Sequence, residues 1–450
     1  MERQEAPASN GGSPAYVYMI SIIAAFGGLL YGFVLGVISG AMPFVARDFG
    51  LSAYQVGFAV GNIDIGCLIG ALAAGSLSDR YGRKKVLFLT AALFALSGGL
   101  CAAATSFTEL VTGRLIGGLA VGASMISALY TAEVAPARIR GFLVTLTQFG
   151  IVIGILATYV VNWALADAGP DNWRWMFASG ILPTVVFLAG LLFVPESPRW
   201  LAARGETDRA RAILARIGGA AHAESELALI RAAVETEQGS VRELFRKGFR
   251  RALVIGVVIS ALAQSVGINT VIYYAPAIFM KAGYHDASSA FLATIAVGTV
   301  NFLFTIVAIL AIDRLGRKPL LLAGLAGMLI SLVCAAMLFN VSTVGAVWVL
   351  FPILGFVALY AVSLGPIAWV LVSEIYPNRI RGVAMAICMA ALYIADFIVS
   401  LTFPRLMEIM GYRVFFVYAA VCAVGFLFVW LAVTETKGKT LEEIETMWTT

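Results

Sequence analysis

One polar phrase occurs twice in this chain. Asp79-Arg80-Tyr81-Gly82-Arg83-Lys84 returns, with a single change, as Asp313-Arg314-Leu315-Gly316-Arg317-Lys318. A second phrase follows each copy: Glu133-Val-Ala-Pro-Ala-Arg-Ile-Arg-Gly141 and Glu374-Ile-Tyr-Pro-Asn-Arg-Ile-Arg-Gly382. Both phrases keep their order and lie between long apolar runs. The pattern specifies a duplicated membrane unit, folded as two similar halves. A site at the junction of such halves can be presented to either face of a bilayer.

Composition sets the outer bounds. With 60% hydrophobic residues, 13% charged residues and a mean hydropathy of +0.91, too few polar groups exist to cover a water-facing surface. The net charge of +5 is spread over short connecting segments, so it speaks about orientation and not about nucleic acid. Cys67, Cys101, Cys334, Cys388 and Cys422 all fall in apolar stretches without metal-ligand spacing and read as small hydrophobes. No phosphate-binding glycine loop, metal cluster or nucleophile triad is present, so neither an enzyme nor a cofactor is expected.

Twelve apolar runs are long enough to cross about 30 Å of hydrocarbon. They cover approximately 17–42, 54–77, 86–105, 110–132, 142–165 and 175–194, then 252–280, 290–312, 319–340, 347–373, 383–404 and 413–433. The expected fold is an all-α membrane protein with two pseudo-symmetric six-helix halves, 16–194 and 252–433. A cytoplasmic helical linker, 195–251, joins them, with helical periodicity in Asp208–Ile217 and Glu224–Glu237. Residues 1–15 read as a disordered cytoplasmic tail and 434–450 as a second tail. The first apolar run is a full span with no small-residue cleavage site behind it, hence not a removable signal. Arg47, Arg174, Lys281, Arg405 and Arg413 fall in outer loops and Arg114 within a span. The other 25 of the 31 Lys and Arg lie on the linker side, which makes that side and both termini cytoplasmic.

The repeated loops have a mechanical reading. Gly75 and Gly82 permit close approach and a tight turn, and Asp79 can hold the start of the next helix or pair with an Arg. Arg83 and Arg140 are expected to face Glu133, and Arg317 and Arg381 to face Glu374. Such pairs would form when the cytoplasmic side is closed and break when it opens. Asp313, the partner of Asp79 in the second copy, and Glu196 with Arg199 belong to the same gating group.

Further phrases carry a resemblance. Pro195-Glu-Ser-Pro-Arg-Trp-Leu201 follows span six and Gly267-Ile-Asn-Thr-Val-Ile-Tyr-Tyr-Ala-Pro276 lies in span seven. Gly365-Pro-Ile-Ala-Trp369 lies in span ten and Glu435-Thr-Lys-Gly-Lys-Thr-Leu441 near the end. With the paired loops, and over essentially the whole length, the chain resembles the sugar porter family of the major facilitator superfamily. The resemblance implies the twelve-helix major facilitator fold, alternating access, and a monosaccharide held at the midplane between the halves. It assigns sugar contacts to Gln148, Gln264, Asn269, Asn301 and Trp369, with Tyr273 and Tyr274 as gate or wall. Amides suit a pyranose because each both donates and accepts around a ring of hydroxyls.

The chain also departs from the family pattern. Ala263 stands for the first of two adjacent glutamines, Ile155 for a glutamine found in bacterial xylose symporters, and Leu392 and Tyr393 for the usual amide and Trp of span eleven. Asp396 stands where Asn is usual. In span one, Tyr31-Gly-Phe-Val34-Leu-Gly-Val-Ile-Ser-Gly-Ala41 carries Val34 where proton-coupled members carry an aspartate. Arg114, the partner of that aspartate, is retained, and a charge at membrane depth needs a partner. Span two offers Asp64. At 1.5 Å per residue Asp64 lies roughly 22 Å and Arg114 roughly 28 Å from the inner ends of their spans, close enough in depth to meet.

The reading that follows is a proton-coupled monosaccharide symporter in which Asp64, paired with Arg114, replaces the span-one carboxylate. Asp396 is a second candidate, as a sugar acceptor or proton site. An equilibrative facilitator, favoured by Val34 and Ile155, is the alternative, followed by transport of a polyol or other small solute. A non-transporting sensor is disfavoured by the short final tail. The expected partners are a monosaccharide, protons and the bilayer. The expected place is the inner membrane of a bacterium or archaeon, with a monomer sufficient.

Overall fold

The computed structural model describes residues 11–234, 244–245, 247–284, 286–340, 345, 347–438 and 443. The N-terminal half contains α1 (Pro14–Asp48), α2 (Ala53–Tyr81), α3 (Arg83–Ala103), α4 (Phe107–Ala123), α5 (Ile126–Val134), α6 (Arg140–Leu165), α7 (Asn172–Ser179) and α8 (Ile181–Phe193). The linker carries α9 (Pro198–Ala203), α10 (Thr207–Gly218) and α11 (Ala220–Val234). The C-terminal half contains α12 (Lys247–Ser265), α13 (Ile268–Lys281), α14 (Ala287–Leu315), α15 (Arg317–Asn340), α16 (Val347–Val362), α17 (Leu364–Glu374), α18 (Asn378–Met410) and α19 (Val414–Ala432). No strand occurs among the described residues.

Among the described residues, eleven stretches are long and apolar enough to cross a membrane. The last of them, Ile380–Ala432, is two helices, α18 and α19, joined at Gly411–Arg413, so the crossings number twelve. The duplicated glycines explain one shared corner. Gly82 and Gly316, at φ +98° and +91°, separate α2 from α3 and α14 from α15 in a backbone region that disfavours a side chain.

Four spans expected as single helices are broken. Span four divides into α4 and α5 at Ser124–Met125, span six into α7 and α8 at Gly180, and span ten into α16 and α17 at Ser363. Span seven breaks at Gly267, whose φ of +89° ends α12 and starts α13. Breaks inside a bilayer are tolerated where they line a cavity or lie within protein. Each apolar run stays continuous across its break, so hydropathy alone could not reveal it.

The first helix starts inside the stretch expected as tail. Ser13 caps it by accepting from Tyr16 N, Pro14 occupies its first turn, and Ser13 N donates to the Arg216 carbonyl at 3.1 Å. Residues 1–10 lie outside the described residues, as do 235–237 of the helix expected over Glu224–Glu237. The linker helices share a small apolar core of Leu201, Ala210, Leu214, Ala223 and Leu227.

The halves meet through α2 and α18, α1 and α13, and α6 and α14. Their closest seam lies away from the linker. Gly57 leaves room there for the Leu401 carbonyl and Gly61 for Phe397, while Phe58 meets Phe397 edge to face at 6.4 Å. Tyr159 OH donates to the Ile272 carbonyl at 2.8 Å and Trp163 Nε1 to Ser288 Oγ at 3.2 Å. On that far side the pathway between halves is closed.

Candidate functional site

At the break in span seven, Gln264 closes α12 and Asn269 opens α13, so the two amides face each other across Gly267. Asn269 Nδ2 donates to Gln264 Oε1 at 3.1 Å and to Asp396 Oδ2 at 2.6 Å. Tyr273, one turn along α13, donates its hydroxyl to the same Asp396 oxygen at 3.4 Å. Ser400 Oγ donates to Asp396 Oδ1 at 3.5 Å, and Tyr274 OH to the Ser400 carbonyl at 2.9 Å. Tyr393 lies one turn before Asp396, near Tyr31 of α1. The structure thus gathers Gln264, Asn269, Tyr273, Tyr274, Tyr393 and Asp396.

The other expected sugar contacts stand apart from this network. Gln148 on α6 is exposed and Asn301 on α14 half-buried, each next in sequence to the Phe149–Phe302 pair, whose rings meet at 6.4 Å. Trp369 on α17 lines a separate cleft with Ser260, Cys388, Met389 and Leu392. Tyr31 and Ser400 were missed in the sequence; Tyr31 lies three residues before Val34, in a phrase already singled out.

The acid in span two does not pair with Arg114. Arg114 is 2% exposed, and its guanidinium donates to the carbonyls of Ala59 at 2.8 Å and Val60 at 3.1 Å. The cause is the packing of α4 on α2: a Cβ on Gly118 would lie 2.8 Å from the Gly66 Cα, so the helices touch backbone to backbone. That contact lays the guanidinium along α2 and offers it carbonyls one turn before Asp64. Where proton-coupled members carry an acid, Val34 borders a small apolar cavity that Arg114 also lines, with Phe33, Phe94 and Phe177. Asp64, 3% exposed, instead brings its carboxyl within hydrogen-bonding reach of Asp396, also 3% exposed, on the opposite half.

The loop clusters on the linker side are formed, but within halves. Arg83 holds Glu133 through two bonds of 3.0 Å and Asp79 through one of 3.0 Å. Glu196 Oε1 accepts from the backbone N–H groups of Arg83 at 2.8 Å and Lys84 at 3.1 Å. In the second half Arg317 pairs with Glu374 at 2.7 Å. Arg140 and Arg381 do not reach those glutamates. Each bends back onto a carbonyl five residues earlier, Ala135 at 3.2 Å and Tyr376 at 3.1 Å, closing the corner before its own helix. Arg199 is exposed and makes no ion pair among the described residues. The Asp313 side chain lies outside the described residues.

These pairs therefore do not latch one half to the other. Both partners of each belong to one half, so the halves can part on the linker side without breaking them.

Comparison with known proteins agrees with this architecture. The family described as "Sugar (and other) transporter" matches residues 20–448. The chain is 40% identical over 451 residues to the arabinose-proton symporter of Bacillus subtilis (strain 168), covering 98% of this chain and 97% of that protein. The inward open conformation of the xylose transporter XylE from E. coli superposes with a TM-score of 0.85 at 37% identity, covering 96% of this chain and 100% of that one. The proton:xylose symporter XylE bound to 6-bromo-6-deoxy-D-glucose gives a TM-score of 0.78 at 38% identity, covering 96% and 99%. On the family match, the identity and the shared twelve-helix fold, the chain is a transporter belonging to the sugar porter family of the major facilitator superfamily.

Proposed function

We propose that the chain carries a monosaccharide across the membrane by alternating access, driven by protons, with Asp64 as the coupling carboxylate. The observation that carries this reading is the position of Asp64. It is a buried acid whose Oδ2 has no hydrogen-bond partner among the described residues, set beside the amide network of span seven in a chain whose first span carries Val34 where proton-coupled members carry an acid. A buried carboxyl inside a transporter is costly unless it is used, and taking up a proton is the use that neutralises it. Arg114 lies close enough to act on Asp64 through its field without being bonded to it. The sugar would be held by Gln264 and Asn269, with Gln148, Asn301 and Trp369 joining as the halves close around it. The distribution of Lys and Arg makes the linker side cytoplasmic and the closed seam external. The proton-symporter relatives support the same assignment, and one chain contains both halves, so a monomer suffices.

The test is uptake of labelled glucose, xylose and galactose into liposomes holding the purified chain, with and without an inward proton gradient. Accumulation that vanishes in Asp64→Asn is the expected result. The second reading, an equilibrative facilitator, rests on Val34. Uptake that only equilibrates, the same in both proteins, would establish it.

A further inference from the structure

Resting on the proton-coupled reading above, we infer that Asp64 and Asp396 form a single proton-binding site divided between the two halves, and that its proton keeps the external seam closed.

The geometry leads there from α2 and α18. They run antiparallel, and Gly57 opposite Leu401 and Gly61 opposite Phe397 fix their register. One turn along α2 from Gly61, Asp64 lies beside Asp396, the residue next to Phe397 on α18. Two carboxylates offer only acceptors, so a hydrogen bond between them requires one proton. Its place follows from the other donors. Asn269 and Tyr273 donate to Asp396 Oδ2 and Ser400 to Oδ1, which favours the anion on Asp396. Asp64 Oδ2 has no donor, so the proton resides on Asp64.

The surroundings fit one proton and no other count. The titratable and charged groups facing the pair are Tyr31 from α1, Cys67 from α2, Arg114 from α4, Tyr273 and Tyr274 from α13, Tyr360 from α16 and Tyr393 from α18. Arg114 is the one cation among them. With a single shared proton the two acids carry one negative charge and Arg114 cancels it, the state a low-dielectric interior favours. Without the proton two carboxylates are forced together across the seam, and Arg114 can balance only one.

A cycle follows in which each half supplies one acid. A proton arriving from outside lets α2 and α18 close, and its loss to the cytoplasm drives them apart and returns the carrier to the outside. Asn269 binds Asp396 and Gln264 at once, so the amides assigned to sugar and the proton site share one side chain.

Spin labels at Tyr54→Cys and Ile409→Cys, on the external ends of α2 and α18 in a Cys334→Ser background, report this seam by pulsed electron resonance without sugar. The wild-type pair should show one short distance at low pH and gain a longer one as pH rises. Asp64→Asn and Asp396→Asn should each hold the short distance at every pH, because an amide can donate to the remaining carboxylate. A wild-type distance indifferent to pH, or either single variant opening as the wild type does, would overturn the shared site. Proton flux measured with sugar uptake decides the symport reading separately, since the seam readout needs neither sugar nor gradient.

Discussion

Glu196 and Glu435 occupy the same place in the two halves. Each carboxylate accepts from the first two backbone N–H groups of the helix after the repeated loop, Arg83 and Lys84 in one half, Arg317 and Lys318 in the other. The next residue in each case, Ser197 or Thr436, donates its hydroxyl to the loop glutamate, Glu133 or Glu374. A glutamate followed by a hydroxyl residue therefore ties the end of each half to its own repeated loop. The flanking sequences are otherwise dissimilar, so the equivalence emerges only in three dimensions.

Glu435→Gln should lower stability by about 1 kcal/mol, the usual cost of losing a helix cap. Burial tends to raise the Glu435 carboxyl, but backbone N–H groups of Lys437, Arg317, Lys318 and Thr436 outweigh it and leave the group below its ordinary value of 4.5. A depressed folded value means the contribution is fully present above the unfolded value and is lost as pH falls through the folded one. Thermal unfolding between pH 3 and 7 should therefore show wild type and Glu435→Gln converging toward acid. Curves that stay parallel would show that the carboxylate contributes no charge-dependent stability.

Arg83→Ala should cost about 3 kcal/mol or more, because it leaves buried Glu133 without its cation. Asp79, largely exposed, adds little to that figure. Since the pair lies within one half and the halves can part without breaking it, sugar affinity should survive and turnover should change only through the lost stability of that half, and the same is expected for Arg83→Glu. Binding and initial-rate measurements on one preparation would separate the two. A large loss of affinity would mean the cluster reaches the sugar site.

Gln264→Ala and Asn269→Ala should each weaken sugar binding roughly 3- to 10-fold, the worth of one neutral hydrogen bond. Asn269→Ala should also alter the pH dependence of binding, since it removes a 2.6 Å donor from Asp396, whereas Gln264→Ala should not. Calorimetric titration with xylose or glucose at several pH values would show both effects. Retained affinity in both variants would sink the assigned pocket.

Much of this was legible in the chain and some was not. The duplicated loops and apolar runs lead to two six-helix halves without any structure. Asp64 and Asp396 could be recognised singly, as acids in otherwise apolar spans. Their meeting depends on the register of α2 against α18, which the small side of Gly57 permits and which no local pattern encodes. Arg114 shows the same limit. Its depth was readable, but its choice of the Ala59 and Val60 carbonyls follows from the touching backbones at Gly66 and Gly118. The break at Gly267 escaped for a related reason: hydropathy integrates over a span and is blind to one residue's φ.

The last prediction concerns what Val34 replaced. Val34 and Arg114 border one small cavity, so an acid at 34 would enter the space in front of the guanidinium. Val34→Asp should draw Arg114 off the Ala59 and Val60 carbonyls, because an ion pair at this depth outweighs two carbonyl contacts. In the wild-type background the result would be a third acid near Asp64 and Asp396 for a single Arg, with slower transport. In the Asp64→Asn background the charge count is restored, but the amide at 64 still holds the α2–α18 seam closed, so proton-driven accumulation should not return. Liposome uptake with an inward proton gradient, compared between Asp64→Asn and Val34→Asp/Asp64→Asn, reads this directly. Recovery would show that the coupling acid can sit on either span so long as Arg114 faces it. Failure, with the double variant folded, would mean that coupling requires an acid on the α2–α18 seam and not merely one near Arg114.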